Sequence, residues 1–122
     1  MRALYPFLLV FIGGGLGSIC RFGLSLLIPP TRVYFPWATL AANGLACLVL
    51  GFLLGTQLKG DLHDRERWLW ATGFCGGFST FSTFTADSWL QFQNGAPLAA
   101  WVNILGNLLV CWGCLLVGLR MA

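Results

Sequence analysis

The residues of this chain that are most able to do chemistry are concentrated in one segment, residues 73–85, which reads GFCGGFSTFSTFT. Six Ser and Thr hydroxyls fall between Thr72 and Thr85, in a stretch that is otherwise apolar. The adjacent Gly76 and Gly77 mark a place where a helix can break and leave backbone groups unpaired. Inside a membrane such backbone is tolerated only where it is buried in protein or lines a cavity. The segment is therefore typical of the lining of a small permeation path.

A spacing of three residues sorts the side chains of this segment into rows along a helix. The rows are Phe78, Phe81 and Phe84; Ser79, Ser82 and Thr85; and Thr80 and Thr83. Because the edge of a phenyl ring is electropositive, an anion could contact ring edges on one side and hydroxyl donors on the other. Phenyl rings at this spacing are also ordinary core residues, but rings beside hydroxyls in a polar segment favour a path for an anion.

Three amide side chains lie within the neighbouring apolar stretches. Asn43 shares one helix face with Thr39 and Cys47, and Asn103 precedes Asn107 by about one turn. Asn commonly forms hydrogen bonds between membrane helices. The amides therefore either hold helices together or line the same path as the hydroxyls, and the sequence alone leaves both interpretations open.

Two charged residues fall close to these polar groups. Arg21 continues by one turn a ridge of small residues formed by Gly13 and Gly17. A charge in a membrane span is a candidate functional residue by default, so Arg21 either attracts anions in a vestibule or extends its guanidinium to the membrane surface. Asp87, about one turn beyond Thr83, either makes a local bond or orients a residue of the path.

The titratable residues bear on the kind of transport. No His, Glu or Lys lies deep in any of the apolar stretches, whereas proton relays and coupled pumps generally need such groups. Passive conduction is therefore favoured over proton-coupled transport. The hydroxyls, the amides and Arg21 together offer an excess of hydrogen-bond donors, which favours an anion as the permeant.

The composition places the whole chain in a membrane. Of its 122 residues 57% are hydrophobic and 9% are charged, whereas about a quarter of the residues of a soluble domain are charged. The net charge of +3 comes without a basic patch, which argues against a nucleic-acid partner. The five cysteines are expected to be packing residues in the lipid bilayer and not a disulfide framework. Cys111 and Cys114 have a metal-ligand spacing, but without His or acidic partners a metal site is not favoured.

Four predicted spans each approach the ~20 apolar residues that a membrane crossing needs. They cover residues 4–28, 37–58, 68–92 and 98–119. Their short connections, with no repeat or linker between them, predict one four-helix transmembrane domain over residues 1–122. The double glycine predicts a place where the third helix can break.

Basic residues predict the orientation, because Lys and Arg are enriched on the cytoplasmic side of membrane proteins. Four spans place both termini and the loop 59–67 on one side, while the loop after the first span, with Arg21 near it, lies on the other. The first side carries Arg2, Lys59, Arg65, Arg67 and Arg120, and the second carries Arg32. Both termini are therefore expected in the cytoplasm.

Three motifs give the chain a resemblance to the fluoride channel (Fluc) family of small bacterial membrane proteins. Residues 13–21 (GGGLGSICR) resemble the glycine-rich first helix of that family, which ends in Arg, and residues 39–43 (TLAAN) resemble its second-helix motif. Residues 73–84 are nearly identical to the family's signature and carry most of the specificity. The resemblance runs along most of the chain.

The resemblance implies an all-α, antiparallel dual-topology homodimer in the bacterial cytoplasmic (inner) membrane, with two pores through which fluoride leaves the cell passively. Such export lowers fluoride toxicity. The resemblance also implies that the third helix breaks between Gly76 and Ser79. The backbone carbonyls of these two residues would hold a structural sodium ion at the dimer centre. The implied pore residues are Asn43, Phe81, Phe84, Ser82, Thr83, Thr85, Asn103 and Asn107, with Arg21 in a vestibule.

Some positions depart from the family's pattern. Ala38 stands where a glycine is usual, the family often has Ser in place of Asn107, and some members have Tyr in place of Asn103. The bias of basic residues also fits poorly with dual topology, which works best when the two sides are balanced. Because some members of the family pair two different chains of fixed orientation, a paralogous chain is an alternative partner.

Three further interpretations compete with a fluoride channel. A small multidrug exporter shares the size and the four spans, but it needs a carboxylate in its first helix, and this first span has none. A non-transporting assembly subunit would explain the glycine ridges and the amides, but not the rows of hydroxyls and phenyl rings. An enzyme is not expected, because no nucleophile–base pair or metal constellation is visible in the sequence.

Overall fold

The computed structural model describes residues 3–29 and 35–122, and every regular element within them is helical. The first helix is Tyr5–Leu27, the second is Trp37–Leu58 and the fourth is Pro97–Met121. The third helix has a leading half, residues 64–78, which joins Asp64–Glu66, Arg67–Cys75 and Gly76–Phe78, and a trailing half, Phe81–Gln93. Arg2 and Arg32, on which the predicted orientation partly rests, lie outside the described residues.

Three of the described helices, the first, the second and the fourth, are long and apolar enough to cross a membrane. They confirm three of the four predicted spans to within a few residues. The predicted third span, 68–92, is not one continuous helix, and its trailing half has only 13 residues. Because ~20 residues are needed to cross a bilayer, neither half crosses alone, and the complete four-span topology stays a prediction.

The third helix breaks at Ser79 and Thr80, whose backbones are extended, with ψ angles of 158° and 114°. We call these two residues the helix break. The predicted break between Gly76 and Ser79 is correct only at Ser79, because Gly76 and Gly77 are helical. The physical reason is close packing: a Cβ atom at Gly77 would lie 2.2 Å from the carbonyl oxygen of Gly14. Gly77 therefore lets the first helix approach a helix that is still intact.

The first helix packs against the leading half of the third through a surface without side chains. Much of that leading half, Arg67–Cys75, is wound as a π-helix, a form that is rare and usually short. A Cβ atom at Gly13 would lie 2.1 Å from the Leu69 carbonyl oxygen, and one at Gly17 would lie 2.2 Å from that of Phe74. The predicted ridge of small residues on the first helix is thus confirmed as a close-packing surface.

The second and fourth helices make an equivalent contact. A Cβ atom at Gly51 would lie 2.2 Å from the carbonyl oxygen of Leu115, and one at Gly118 would lie 2.1 Å from that of Leu48. Each helix therefore offers the other a glycine, and the two backbones meet without an intervening side chain. This contact fixes the spacing of the two helices that carry the three amides.

Polar side chains are buried between the helices while large apolar side chains point outward. The buried polar residues are Thr39, Asn43, Asp87, Ser88, Gln91, Asn103 and Asn107. Phe7 and Phe11 on the first helix are each more than 70% exposed. This distribution is the reverse of that in a soluble protein and matches a helical protein whose outer surface faces lipid.

The segments that connect the helices show which helix ends lie close together. The Lys59 ammonium bonds the carbonyl oxygen of Ala122, so the charged loop 59–67 and the carboxyl terminus lie at the same end of the molecule. Between the third and fourth helices the chain turns at Gly95, which has a φ of 73°, and the fourth helix begins at Pro97. A positive φ is readily adopted only by glycine and a few other residues.

Candidate functional site

The helix break is held by the amide of Asn43. The backbone N–H of Thr80 donates to Oδ1 of Asn43 over 2.7 Å, and Nδ2 of Asn43 donates to the carbonyl oxygen of Thr80 over 3.3 Å. The buried side chain of Asn43 therefore pairs with both backbone groups of one residue that has left the helix. Because unpaired backbone groups are costly at membrane depth, this pairing explains how the break persists.

Thr80 restarts the helix on the other side of the break. Its Oγ1 accepts a hydrogen bond from the backbone N–H of Thr83 over 3.1 Å, the usual role of an N-cap threonine. The same hydroxyl donates to Oγ1 of Thr83 over 3.0 Å and lies 3.2 Å from the hydroxyl of Ser82. Three hydroxyls thus meet at the first turn of the trailing half.

The three asparagines form one continuous chain of hydrogen bonds, which we call the amide chain. Nδ2 of Asn43 donates to Oδ1 of Asn107 over 3.1 Å, and Nδ2 of Asn107 donates to Oδ1 of Asn103 over 2.9 Å. Nδ2 of Asn103 then donates to the hydroxyl of Ser88 over 2.9 Å. The amide chain therefore ties the second and fourth helices to both the helix break and the trailing half.

Beside the amide chain lies a groove, which we call the phenyl groove. It has a volume of about 260 Å³, and its wall includes Phe81, Phe84, Asn43, Asn107 and Thr80. The centroids of the two phenyl rings are 5.6 Å apart and the ring planes meet at 51°. The side chain of Phe81 is 79% exposed, so this wall is open on one side in a single chain.

Arg21 lies beside a second cavity at the helix break. Its Nε donates to the carbonyl oxygen of Gly77 over 3.1 Å. A cavity of about 180 Å³, which we call the arginine cavity, is lined by Arg21 together with Thr39, Thr80 and Thr83. Because Thr80 lines both this cavity and the phenyl groove, the two spaces adjoin at the helix break.

A further cavity of about 220 Å³ continues from the arginine cavity, with Thr39 and Thr83 in both walls and Asp87 in its own. The hydroxyl of Thr39 donates to Oδ2 of Asp87 over 2.8 Å. This buried bond joins the second helix to the trailing half of the third. The hydroxyl that Asp87 accepts from lies 48 residues away on another helix, whereas one of its two predicted roles was a local bond.

The chain matches the family model described as CrcB-like protein, Camphor Resistance (CrcB), over residues 8–119. The chain belongs to this CrcB-like family. Its relatives include a protein of Pyrococcus furiosus that is 41% identical over 115 residues and one of Pyrococcus abyssi that is 39% identical over 116 residues. These alignments cover 93% and 94% of both partners. A protein of Erythrobacter litoralis is 34% identical, over 97% of this chain and 92% of its own. All three relatives are named fluoride-specific ion channel FluC.

Most of the candidate residues of this CrcB-like chain meet around the helix break. Asn43, Asn103 and Asn107 are joined in the amide chain, and Phe81 and Phe84 share the phenyl groove. Ser82 and Thr83 contact Thr80, and Arg21 shares a cavity with Thr83. Thr85 is exposed, and its hydroxyl donates to the carbonyl oxygen of Phe81 in its own helix. Asn43 and Asn107 join helices by a hydrogen bond, which is one of the two interpretations of the amides. They also line the phenyl groove, and the interpretation that the amides line a permeation path stays a prediction.

Three residues of the CrcB-like site were not among the predicted pore residues. Thr80 forms the cap and lines two cavities, Ser88 ends the amide chain, and Thr39 holds Asp87. A threonine followed by a helix start is a recognisable N-cap signal, so Thr80 could have been found once the break was placed correctly. Ser88 and Thr39 could not, because their partners lie on other helices.

The metal prediction concerns backbone oxygens only. Within residues 3–29 and 35–122, no group of three or more His, Cys, Asp or Glu side chains is arranged to hold a metal ion. The predicted sodium ligands are instead backbone carbonyl oxygens. In a continuous helix the N–H of Thr80 would donate to the carbonyl of Gly76, but here it donates to Asn43. Gly76 also has no atom within 4 Å of the position of its missing Cβ, so it faces open space. Both features are compatible with the predicted sodium ligand.

Proposed function

We propose that this CrcB-like chain is the subunit of a fluoride-selective channel that lets fluoride leave the cell passively. Relatives that share 34–41% of their residues with it over nearly their whole length carry the name fluoride-specific ion channel. The geometry around the helix break supports the same function.

The observation that carries the proposal is that Thr80 belongs to the walls of two adjoining cavities. One is the arginine cavity with its positive charge, and the other is the phenyl groove, whose wall holds two phenyl rings and two amides. Fluoride is a small and strongly hydrated anion, so a path for it must replace water with donors. The hydroxyls of Ser82 and Thr83, the guanidinium of Arg21 and electropositive ring edges supply such groups.

Among the described residues, the walls of the arginine cavity and the phenyl groove include no His, Glu or Lys. The amide chain and the hydroxyls around Thr80 do not titrate at physiological pH, and Asp87 is set apart by its bond to Thr39. Conduction would therefore follow the fluoride gradient without an exchanged proton. The alternative of a proton-coupled multidrug exporter has no support in these residues.

The phenyl groove is open on one side, which supports a second copy of the chain as the partner that closes it. Phe81 is 79% exposed although it belongs to the wall of the groove. A second chain, packed antiparallel, would supply the missing wall, and its symmetry would create two equivalent pores in the cytoplasmic membrane. The structural sodium ion would lie between the copies, held by the carbonyls of Gly76 and Ser79. Its charge would attract carbonyl oxygens of both chains and so stabilise their association.

A second candidate is one half of a channel built from two different chains. It is favoured by the basic residues Lys59, Arg65, Arg67 and Arg120, because Lys59 bonds the carboxyl-terminal residue and so places this charge at a single end. Such a bias directs a chain to one orientation. Reporter tags at both termini distinguish the candidates: two orientations support the homodimer, and one orientation supports the paired form.

Growth of fluoride-sensitive bacteria tests the proposed function. Cells that lack fluoride export are transformed with this chain alone or with an empty vector. We expect the chain to restore growth at a fluoride concentration that stops the vector control, while sensitivity to chloride is unchanged. Absence of rescue, with the protein shown to be in the membrane, would contradict a channel made from this chain alone.

A further inference from the structure

Two free thiols lie at the same level where the second and fourth helices pack. Cys47 belongs to the second helix and Cys111 to the fourth. Each follows an asparagine of the amide chain by one turn, and because Nδ2 of Asn43 donates to Oδ1 of Asn107, the two helices are in a register that brings Cys47 and Cys111 together. Cys114 also lies close, because its Sγ is 3.6 Å from the position of a Cβ at Gly44, one turn before Cys47.

Two of these thiols belong to the wall of the phenyl groove. Cys47 and Cys111 line it together with Phe81 and Phe84. The proposed passage of fluoride assigns no task to either sulfur. A ligand held by both thiols would lie in the groove wall, one helical turn from the amides of Asn43 and Asn107.

We propose that Cys47 and Cys111 form a two-thiolate site for a soft divalent cation of the Hg²⁺ class, and that its occupation obstructs the phenyl groove. Thiolates are soft ligands and select soft metal ions. Two thiols from facing helices suit a cation that accepts linear coordination by two sulfurs. Zinc is disfavoured because it takes four ligands in structural sites, and the described residues provide no group of three.

Charge balance supports a divalent ion over a monovalent one. A monovalent soft ion such as Ag⁺ with two thiolates would leave a net negative charge in an apolar wall, which is costly. Hg²⁺ with two thiolates is neutral. The reaction is an exchange of ligands: HgCl₂ forms two Hg–S bonds, two Hg–Cl bonds break, and two protons and two chloride ions are released. No oxidant or reductant takes part.

Binding is tested first, without reference to transport. Purified chain carrying Cys20→Ala, which removes the exposed thiol of the first helix, is titrated with HgCl₂. X-ray absorption should show mercury with two sulfur neighbours, and a pH-stat should record two protons for each mercury bound. Adding Cys111→Ala or Cys47→Ala should abolish the two-sulfur signal. If that signal persists in either variant, the assignment of the site is overturned.

Obstruction is tested second, and this part rests on the proposed function. HgCl₂ should stop fluoride efflux from liposomes that contain the Cys20→Ala protein, and a dithiol chelator should restore it. In the Cys111→Ala protein, the rate of fluoride efflux should be the same with and without HgCl₂. Two-sulfur binding that leaves efflux unchanged would overturn the obstruction while supporting the site. Absence of efflux before mercury is added would contradict the proposed function, and the binding result would still decide the site.

Discussion

The glycine contacts and the helix break solve the same problem, how helices approach one another in a membrane, by opposite means. At the glycine contacts a side chain is absent, and the backbones of the second and fourth helices meet directly at Gly51 and Gly118. At the helix break side chains replace backbone bonds, since Asn43 pairs with both backbone groups of Thr80. The first region depends on shape and the second on hydrogen bonds.

This difference predicts two kinds of variant. Adding a methyl group at a glycine contact should separate helices and destabilise the whole fold, because a packed interior has no room to yield. Changing a polar or phenyl side chain near the break should leave the glycine contacts intact and act on conduction. The substitutions below test this difference, beginning with the one for which we expect the largest effect.

Gly118→Ala tests the glycine contacts. The new Cβ would lie 2.1 Å from the Leu48 carbonyl oxygen, so the helices must move apart, at a cost of about 3 kcal/mol or more in unfolding free energy. Gly113→Ala in the same helix is the matched control, because nothing lies within 4 Å of its Cβ position. Thermal unfolding in detergent should show a large loss only for Gly118→Ala. Equal stability of the two variants would contradict the packing argument.

Asn43→Asp tests the electrostatics of the path while changing few atoms. It replaces an amide that donates to Thr80 and Asn107 by a carboxylate. Two unit charges 4 Å apart repel by about 4 kcal/mol at an effective dielectric constant near 20, so fluoride flux should fall by at least about a hundredfold. Asn94→Asp, in the exposed turn, is the control and should conduct normally. Normal flux in Asn43→Asp would place the path elsewhere.

Phe81→Ile and Phe84→Ile test the ring edges. Isoleucine keeps an apolar side chain but has no electropositive edge, and loss of about 1.4 kcal/mol of stabilisation lowers flux about tenfold. Phe11→Ile is the matched control, because Phe11 is 78% exposed and Phe81 is 79% exposed. Liposome flux and helicity are measured together. Wild-type flux in both folded variants would refute the role of the rings.

Thr80→Val tests the cap and is expected to have the smallest effect on stability. It removes the acceptor for the Thr83 N–H, which should cost about 1 kcal/mol. Thr80→Ser keeps the hydroxyl and should restore most of the lost stability. The midpoint of thermal unfolding measures both variants. If serine and valine are equally destabilising, the methyl group and not the hydroxyl is the important contact.

The sequence predicted what depends on local composition. Hydropathy identified the first, second and fourth helices, and spacing identified the ridge of Gly13 and Gly17. The break was placed too early because glycine has two uses, conformational freedom and close approach, and only the neighbouring helix distinguishes them. At Gly77 the neighbour is the backbone of Gly14, so the second use prevails.

The hydrogen bonds of the candidate site depend on which residues the fold brings close together. Asn43, Asn103 and Asn107 could be identified as candidates from the sequence, but not the fact that each donates to the next polar group, in two of the three bonds across helices. The hydrogen bond from the Thr39 hydroxyl to Asp87, which joins residues 48 positions apart, could not be predicted from the sequence either. The π-helix also has no recognised signal in the sequence, since i→i+5 bonding depends on the packing around it.

Fluoride efflux from liposomes that contain only this purified chain would show most directly whether the chain forms a fluoride-selective channel. A fluoride electrode and a chloride electrode follow the two anions after a potassium ionophore removes the charge imbalance. We expect rapid fluoride efflux without chloride efflux. Absence of fluoride efflux from folded, membrane-inserted protein, or equal efflux of both anions, would contradict a fluoride-selective channel formed by this chain.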